Sequence, residues 1–347
     1  MRTTRRLLGA LSVALVVMGI AAAPAVACGG LVAPNGTVRL LKTATLAAYH
    51  QGIEHYITSF TFSGGGGEFG SIVPLPGVPS EVERGGDWTL QRLIRETTRT
   101  RRASNGEQFA TAGASADSAQ VLMEKRIDAL DLTVLKGGAV AVGTWAREHG
   151  FNLSPDAPEV LEFYAARSPI FLAARFDANA AQALGQGLGD GTPIHITIPT
   201  RTPWVPIRIL SLGRGPNEPV EADVFLLTDD EPSLLGMRGM RNSLSAAATP
   251  SLLDDLRSDK GMGWVPQKMW LTHLQVDAPA KELDHDLAIS VDGRTPSRID
   301  AGYDLAGASS ISLDGPLSQD DPPLWPFVVG TLALCAAAVA VLNRRFG

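Results

Sequence analysis

Residues 284–286 combine side chains of the kinds that bind metal ions. They are Asp284, His285 and Asp286, at the start of a predicted β-strand. Adjacent residues in a strand point to opposite faces of the sheet, so these three side chains do not converge on one ion.

A second acidic cluster, at residues 229–231, follows a predicted strand and precedes a proline. Its residues are Asp229, Asp230 and Glu231. They lack the regular spacing of a calcium-binding loop, which favours a solvated turn. We predict no metal and no other cofactor, and we retain the residues of the two clusters as the only metal-ligand candidates.

The six histidines form no recognisable metal-binding or catalytic pattern. No two of them have the i, i+4 spacing that places two metal ligands on one face of a helix. The sequence also lacks a Gly-x-Ser-x-Gly elbow, the turn that exposes the serine nucleophile of many hydrolases. A triad assembled from distant residues stays open, and the catalytic residues are unknown from sequence alone.

Gly65, Gly67 and Gly70 match the Gly-x-Gly-x-x-Gly fingerprint of dinucleotide-binding domains. That fingerprint opens a helix whose amino terminus meets the pyrophosphate. Here the following residues, 71–76, include two prolines that favour an extended chain. We therefore predict a glycine-rich hairpin tip and no dinucleotide site.

Two tryptophans lie in loop-like contexts and are the candidate surface contacts for a sugar or a peptide. They are Trp204, which follows a proline, and Trp264, between a glycine and Val-Pro. Trp88 and Trp145 lie at apolar positions of predicted helices, so we expect both of these to be structural.

Alternation of apolar and polar residues predicts β-strands through most of the central chain. Asp87 is the predicted cap of a first short helix, with two more helices at about 139–149 and 155–164. Residues 205–212 are predicted as a strand and residues 237–260 as a looser, partly helical insertion. This order predicts an α+β domain with a largely antiparallel sheet and a few short helices.

The predicted extracytoplasmic domain spans residues 28–292. Within it, residues from about 99 to 118 are polar and small, which predicts a flexible insertion. Residues 293–323 are rich in Gly, Ser, Asp and Pro and are predicted to form a stalk or linker.

Residues 1–27 have the parts of a signal peptide: a basic start, an apolar run and an Ala-x-Ala cleavage site. An uncleaved anchor is the alternative, and the flanking residues fit removal better. A partial twin-arginine match leaves the export route open between the Sec and twin-arginine systems. Cleavage would place Cys28 first and make it a lipidation candidate. Because Ala25 stands where lipoprotein signals carry leucine, a free amino terminus is expected.

Residues 324–342 are nineteen residues without a charge, followed by Arg344 and Arg345. At about 1.5 Å per residue, a helix of this length just spans the hydrocarbon core of a bilayer. The two arginines mark the cytoplasmic side. We therefore predict one C-terminal transmembrane helix, with residues 343–347 as a cytoplasmic tail. The protein is expected in the cell membrane as a single-pass protein, with its N-terminal domain extracytoplasmic.

The predicted domain is acidic. The chain has 30 Lys and Arg against 36 Asp and Glu, and five of the arginines but none of the acids lie in residues 1–27 and 324–347, so residues 28–323, the predicted domain with its stalk, have a net charge of −11. Such a surface argues against a nucleic-acid partner. The two cysteines are Cys28 and Cys335, the latter inside the predicted membrane helix, so they do not form a disulfide with each other.

Several segments together resemble a bacterial family of secreted proteins with a domain of unknown function. They are Cys-Gly-Gly at 28–30 after the signal peptide, Val-Pro-Leu-Pro at 73–76, Trp-Val-Pro-Ile-Arg-Ile at 204–209 and Trp-Leu-Thr-His-Leu at 270–274. The resemblance implies a secreted, often C-terminally anchored protein of undetermined activity, and it supplies no catalytic residues. Many members carry a second cysteine soon after Cys-Gly-Gly, whereas residues 32–34 here are Val-Ala-Pro.

The predicted anchor, the stalk and the lack of a catalytic pattern favour an interaction or scaffolding module of the cell envelope. Its partners would be the membrane and an unknown envelope protein. The alternative is an envelope hydrolase whose site is assembled from distant residues, and a small-molecule or lipid carrier is a third hypothesis. A perturbed acid or histidine in a pocket would favour the hydrolase, a flat apolar patch the module, and an enclosed apolar cavity the carrier.

Overall fold

A computed structural model of the chain describes residues 30–32, 39–63, 69–97, 119–151, 153–185, 192–290 and 293–303. Within these ranges the chain is α+β, with mostly antiparallel strands and few short helices, as the sequence predicts. The predictions for Cys28, for the flexible insertion at 99–118 and for the membrane helix at 324–342 lie outside the described residues.

The described strands and helices follow the chain in this order. The strands are β1 (Gly30–Val32), β2 (Arg39–His50), β3 (Ile53–Ser63), β4 (Phe69–Leu75), β5 (Glu81–Arg84), β6 (Gln120–Ile127), β7 (Leu130–Lys136), β8 (Ile170–Phe176), β9 (Ile194–Pro199), β10 (Trp204–Val205), β11 (Pro219–Thr228), β12 (Met240–Ala247), β13 (Trp270–Pro279) and β14 (Leu287–Ala288). The α-helices are α1 (Thr89–Thr97), α2 (Ala139–Glu148), α3 (Ala157–Arg167), α4 (Ala178–Ala183) and α5 (Pro250–Ser258).

The strands form two large sheets and one small one. The first sheet has seven strands in the order β12-β13-β11-β2-β3-β9-β5, and the second has five in the order β1-β4-β8-β7-β6. β10 and β14 form a separate antiparallel pair. In the seven-stranded sheet the β11–β2 pairing is parallel and the other five pairings are antiparallel. β12 therefore lies at one edge of this sheet, and β6 lies at an edge of the five-stranded sheet.

The seven-stranded sheet is buried on both faces because its strands alternate between two cores. On β3, Tyr56 faces a large core that includes residues of the five-stranded sheet and of helices α2 and α3. The next residue, Ile57, faces a smaller core shared with Leu93 of α1 and Leu253 of α5. Successive strand residues point to opposite faces, so one strand serves both cores.

Helices α1 and α5 are joined through a cap that is distant in sequence. Asp259, just after α5, accepts hydrogen bonds from the main-chain nitrogens of Asp87 and Trp88, each at 3.0 Å, and from Thr89 Oγ1 at 2.7 Å. The prediction that Asp87 caps α1 is therefore wrong. The Asp87 carboxylate pairs instead with Arg84, at 2.9 Å.

Two predicted elements differ from the structure. Residues 205–212 are not one strand: β10 ends at Val205 and a 3₁₀ turn covers Arg208–Ser211. Pro206 lacks a donor for a strand ladder, and the main-chain nitrogens of Ile207 and Arg208 bond to a carboxylate instead. The insertion predicted at 237–260 contains β12, whose small, polar, half-exposed residues give a weak strand pattern.

No helix in the described ranges has the length and apolar character needed to cross a membrane.

Candidate catalytic site

Three polar side chains on neighbouring strands form a chain of hydrogen bonds. Ser243 Oγ lies 2.7 Å from His273 Nδ1, and His273 Nε2 lies 2.8 Å from Asp223 Oδ1. These residues belong to β12, β13 and β11, which are adjacent in the seven-stranded sheet. A hydroxyl, an imidazole and a carboxylate in this order are the groups of a serine nucleophile with its base and its orienting acid.

A β-bulge places Ser243 beside the histidine. Asn242 pairs with Leu274 and Leu244 pairs with His273, so Ser243 is the extra residue of the edge strand β12. A bulge redirects a side chain from the regular ladder. Ser243 is exposed, whereas His273 and Asp223 are only 3% and 8% exposed. Ser243 thus lies at the surface of the sheet edge, and its two partners are protected from solvent.

The carboxylate fixes the tautomer of the histidine. An ionised Asp223 can only accept hydrogen bonds, so His273 Nε2 carries the proton between them. In the neutral imidazole, Nδ1 then holds the lone pair and faces the Ser243 hydroxyl, as a general base requires. The two ring nitrogens exchange the roles that they have in serine proteases, where the serine faces Nε2. The main-chain carbonyl of His273 lies 3.0 Å from Ser243 Oγ and is a second acceptor that holds the hydroxyl near the ring.

Neighbouring side chains hold the imidazole and the carboxylate in place. The ring of Phe225 stacks on His273 with ring centroids 4.5 Å apart and an angle of 13° between their planes. Gln275 donates from Nε2 to Asp223 Oδ1 at 3.3 Å. Contacts of this kind restrict the rotation of catalytic side chains.

Sequence analysis did not identify this site. Ser243 and His273 are 30 residues apart, and Asp223 and His273 are 50 residues apart. The available signal in the sequence was a polar residue inside a predicted strand. Asp223 interrupts the apolar run 222–227, and His273 lies within the segment that forms β13. Ser243 carried no signal, because its position depends on a bulge in a weakly patterned edge strand.

A second histidine pair lies on the same face of the sheet, near its other edge. His55 Nδ1 is 3.0 Å from His195 Nε2, and the ring of Trp264 stacks on His55 at 3.7 Å. Burial lowers the pKa of His55 to about 3 and the pKa of His195 to about 4. Both rings are therefore neutral near pH 7. Trp264 is half-buried over them, and its role as a surface contact stays a prediction.

The predicted surface contact at Trp204 is wrong. Trp204 is 3% exposed because the pairing of β10 with β14 encloses it. Its ring stacks on Tyr164, and the Arg167 guanidinium lies 4.3 Å above it. The two tryptophans predicted to be structural differ from each other: Trp145 is buried and stacks on His149, whereas Trp88 is 37% exposed.

The side chains of residues 284–286 point to different partners. Asp286 is fully buried and accepts hydrogen bonds from Tyr164 Oη and from the main-chain nitrogen of Ile207, both at 2.8 Å, and it pairs with Arg167. His285 lies 2.6 Å from the carboxylate of Asp284 and 3.1 Å from the hydroxyl of Tyr303. Asp286 thus holds together the segments around β10 and α3.

The 229–231 cluster forms a turn whose polar groups bond to neighbouring strands. Asp229 Oδ1 is 2.5 Å from His50 Nδ1, and Glu231 accepts a hydrogen bond from Ser245 at 3.0 Å. The main-chain carbonyl of Asp230 accepts a hydrogen bond from the Thr228 hydroxyl at 2.7 Å. Over the described ranges, no group of three or more His, Cys, Asp or Glu residues is arranged to hold a metal ion.

Comparison with known proteins gives one family and a set of distant structures. The family of uncharacterized proteins conserved in bacteria, DUF2330, matches residues 22–230. No curated protein matches the chain. The crystal structure of baculovirus p35 is similar with a TM-score of 0.39 and 8% identity, over 73% of this chain and 97% of that chain. For p35 in complex with caspase-8 the TM-score is 0.33 at 9% identity, over 76% of this chain and 93% of that chain.

Proposed function

The chain belongs to the bacterial family DUF2330, and we propose that it is a serine-dependent acyl hydrolase. One observation carries this proposal: the hydrogen-bonded series Ser243–His273–Asp223, with Ser243 an exposed residue and its two partners buried. The pattern joins a nucleophile, a base with its lone pair on the nucleophile, and a carboxylate that holds the base in that tautomer.

The proposed reaction cleaves an ester or amide. Ser243 Oγ attacks the acyl carbon while its proton passes to His273 Nδ1, and the resulting imidazolium is stabilised by Asp223. His273 then gives this proton to the leaving alcohol or amine as the bond to the acyl carbon breaks. Water attacks the acyl-serine by the same route, which releases the acid and restores the serine.

The test is hydrolysis of 4-nitrophenyl valerate by the full-length protein. We expect Ser243→Ala to lower kcat/KM by about 10³-fold or more, and Asp223→Asn to lower it by at least about 10²-fold because the amide no longer fixes the tautomer. Ser245→Ala, on the same strand and outside the triad, should match the unchanged protein. Equal rates for Ser243→Ala and the unchanged protein would contradict the proposal.

We place this activity at the outer face of the cell membrane. The support is in the sequence: the signal peptide pattern of residues 1–27 and the uncharged run of residues 324–342 before two arginines. Protease added to intact cells should therefore degrade the domain. Complete protection of the domain until the cells are lysed would rule out the external location.

A groove on the other sheet favours a second candidate function, an interaction module of the envelope. The groove has a volume of about 750 Å³ and lies between β6, β7 and the end of α2, with Lys125 and Glu148 among its lining residues. β6 is an edge strand, and no described strand pairs with its outer side. An extended segment of an envelope protein could add to β6 and place its side chains in the groove.

In-cell photo-cross-linking distinguishes this second candidate. A photo-reactive residue at position 125 should capture one reproducible envelope protein, and the same residue at position 281, which is exposed and does not line the groove, should not. Capture of background proteins alone at position 125 would contradict the function as an interaction module. The carrier hypothesis gains no support from the enclosed cavity beside Tyr56 and Val205, because its volume of about 10 Å³ holds at most one water molecule.

A further inference from the structure

Arg241 occupies a defined place next to the proposed nucleophile. It lies on β12, two residues before Ser243, and it pairs across the strands with Gln275, which in turn pairs with Asp223. Residues directly opposite each other in a sheet share a face. Arg241 therefore lies on the same face as His273 and Asp223, one row away from the imidazole.

The guanidinium of Arg241 is available to a ligand. The side chain is exposed and donates one hydrogen bond, from Nη2 to Gln275 Oε1. A guanidinium has five N–H donors in a planar fork, so others can still bind a ligand. Gln275 also donates to Asp223 and thus connects the guanidinium to the proposed triad.

We propose that Arg241 determines specificity and that the substrates are acyl esters or amides with a carboxylate on the acyl chain. This inference rests on the proposed hydrolase function. A single guanidinium binds a carboxylate through two parallel hydrogen bonds. Residues 28–323 have a net charge of −11, which favours a monoanionic carboxylate over a doubly charged phosphate ester at this guanidinium.

The separation along the strand suggests a short diacid as the probe. Arg241 and Ser243 are two residues apart on β12, and a regular strand rises about 3.4 Å per residue, so their backbone positions are on the order of 7 Å apart. We therefore use a glutaryl group, whose two ends are separated by a comparable length, to test the carboxylate preference.

Two esters with equal chain length test the inference in the full-length protein. Mono-4-nitrophenyl glutarate carries the terminal carboxylate, and 4-nitrophenyl valerate has a methyl group in its place. We expect the unchanged protein to prefer the glutarate ester in kcat/KM by about 10-fold or more, the range of one charged hydrogen-bonded pair. Arg241→Gln should abolish this preference, so that the variant hydrolyses the two esters with equal kcat/KM, and an unchanged circular dichroism spectrum shows that the variant is folded.

Two controls and two opposing outcomes complete the test. Arg241→Lys should restore part of the preference, and Arg201→Gln, an exposed arginine elsewhere, should leave it unchanged. If Arg241→Gln keeps the full preference while hydrolysis still requires Ser243, the role of Arg241 is refuted and the hydrolase stands. If hydrolysis of both esters is the same in Ser243→Ala, the hydrolase and the role of Arg241 are both refuted.

Discussion

At the scale of single residues, Glu54 is a buried acid whose pKa is strongly raised. It lies on β3 with no exposed surface, and its two carboxyl oxygens make no hydrogen bond of normal geometry within the described ranges, although the Trp204 main-chain N–H is near. Burial raises its pKa to about 8, and the Trp204 main-chain N–H and the Arg167 charge offset this only in part. The acid is therefore largely protonated in the folded protein at neutral pH.

Replacing this acid should stabilise the protein at high pH. The folded pKa exceeds the unfolded value of about 4.5, so the free energy of unfolding falls as pH rises from about 4.5 to 8. Glu54→Gln removes this loss, so we expect a gain of about 3 kcal/mol near pH 7, a larger gain at pH 8 and little change at pH 4. Urea unfolding at the three pH values measures it. The exposed control Glu148→Gln should show no such trend, and a pH-independent effect of Glu54→Gln would contradict the account.

His55 and His195 produce the opposite pH dependence. Their folded pKa values, about 3 and 4, lie below the usual histidine value of about 6.5, so the unfolded chain binds protons first on acidification. Stability should therefore fall as pH decreases from about 6.5 towards 4. In the double variant His55→Gln, His195→Gln, this decrease should become shallower in urea unfolding. An unchanged slope between pH 6.5 and 4 would show that the pair does not cause it.

The sequence alone does not predict which of these polar strand residues are buried or which partners they contact. Alternation identifies β3 as a strand, but it does not tell whether a polar residue such as Glu54 faces water or a core. That depends on what packs on the sheet, and here the pair β10 and β14 provides the cover. The same limit applies to Asp223 and His273, since their proximity follows from pairing of strands that are distant in sequence.

At the scale of elements, the strand prediction succeeds where both faces are buried and fails where a distant group intervenes. The predictions of most central strands, which are rich in apolar residues, are confirmed. Residues 205–212 are likewise rich in apolar residues, yet the Asp286 carboxylate binds two of their main-chain nitrogens and turns the chain. The prediction of Asp87 as the cap of α1 is wrong for the same reason. A residue distant in sequence, Asp259, accepts the hydrogen bonds at the start of this helix.

The contribution of the Asp259 cap to stability can be measured by substitution. Asp259 is buried and accepts three hydrogen bonds at the start of α1, so Asp259→Ala should lower the free energy of unfolding by about 2 kcal/mol or more. Asp255→Ala breaks a half-exposed ion pair with Arg92 between the same two helices and should lower it by less than about 1 kcal/mol. Urea unfolding of both variants decides. Equal losses would mean that the cap contributes no more than a surface ion pair.

At the scale of the whole molecule, the predicted location and the proposed activity follow from different parts of the chain. The two ends predict export and anchoring from length and apolarity alone, whereas the proposed activity depends on three adjacent strands of one sheet. The reactive hydroxyl lies on an edge strand at a bulge, where a side chain can be exposed without loss of core packing. A domain held at the membrane with this edge facing solvent could act on acyl groups of its surroundings.

Covalent labelling shows directly whether the Ser243 hydroxyl is activated. The full-length protein is treated with diisopropyl fluorophosphate, which reacts with activated serine hydroxyls, and the modified residue is identified by mass spectrometry. We expect one phosphorylated serine, Ser243, with labelling lost in His273→Ala and retained in Ser245→Ala. An unlabelled Ser243, or labelling of Ser243 that persists at the same rate in His273→Ala, would contradict the claim that His273 activates this serine.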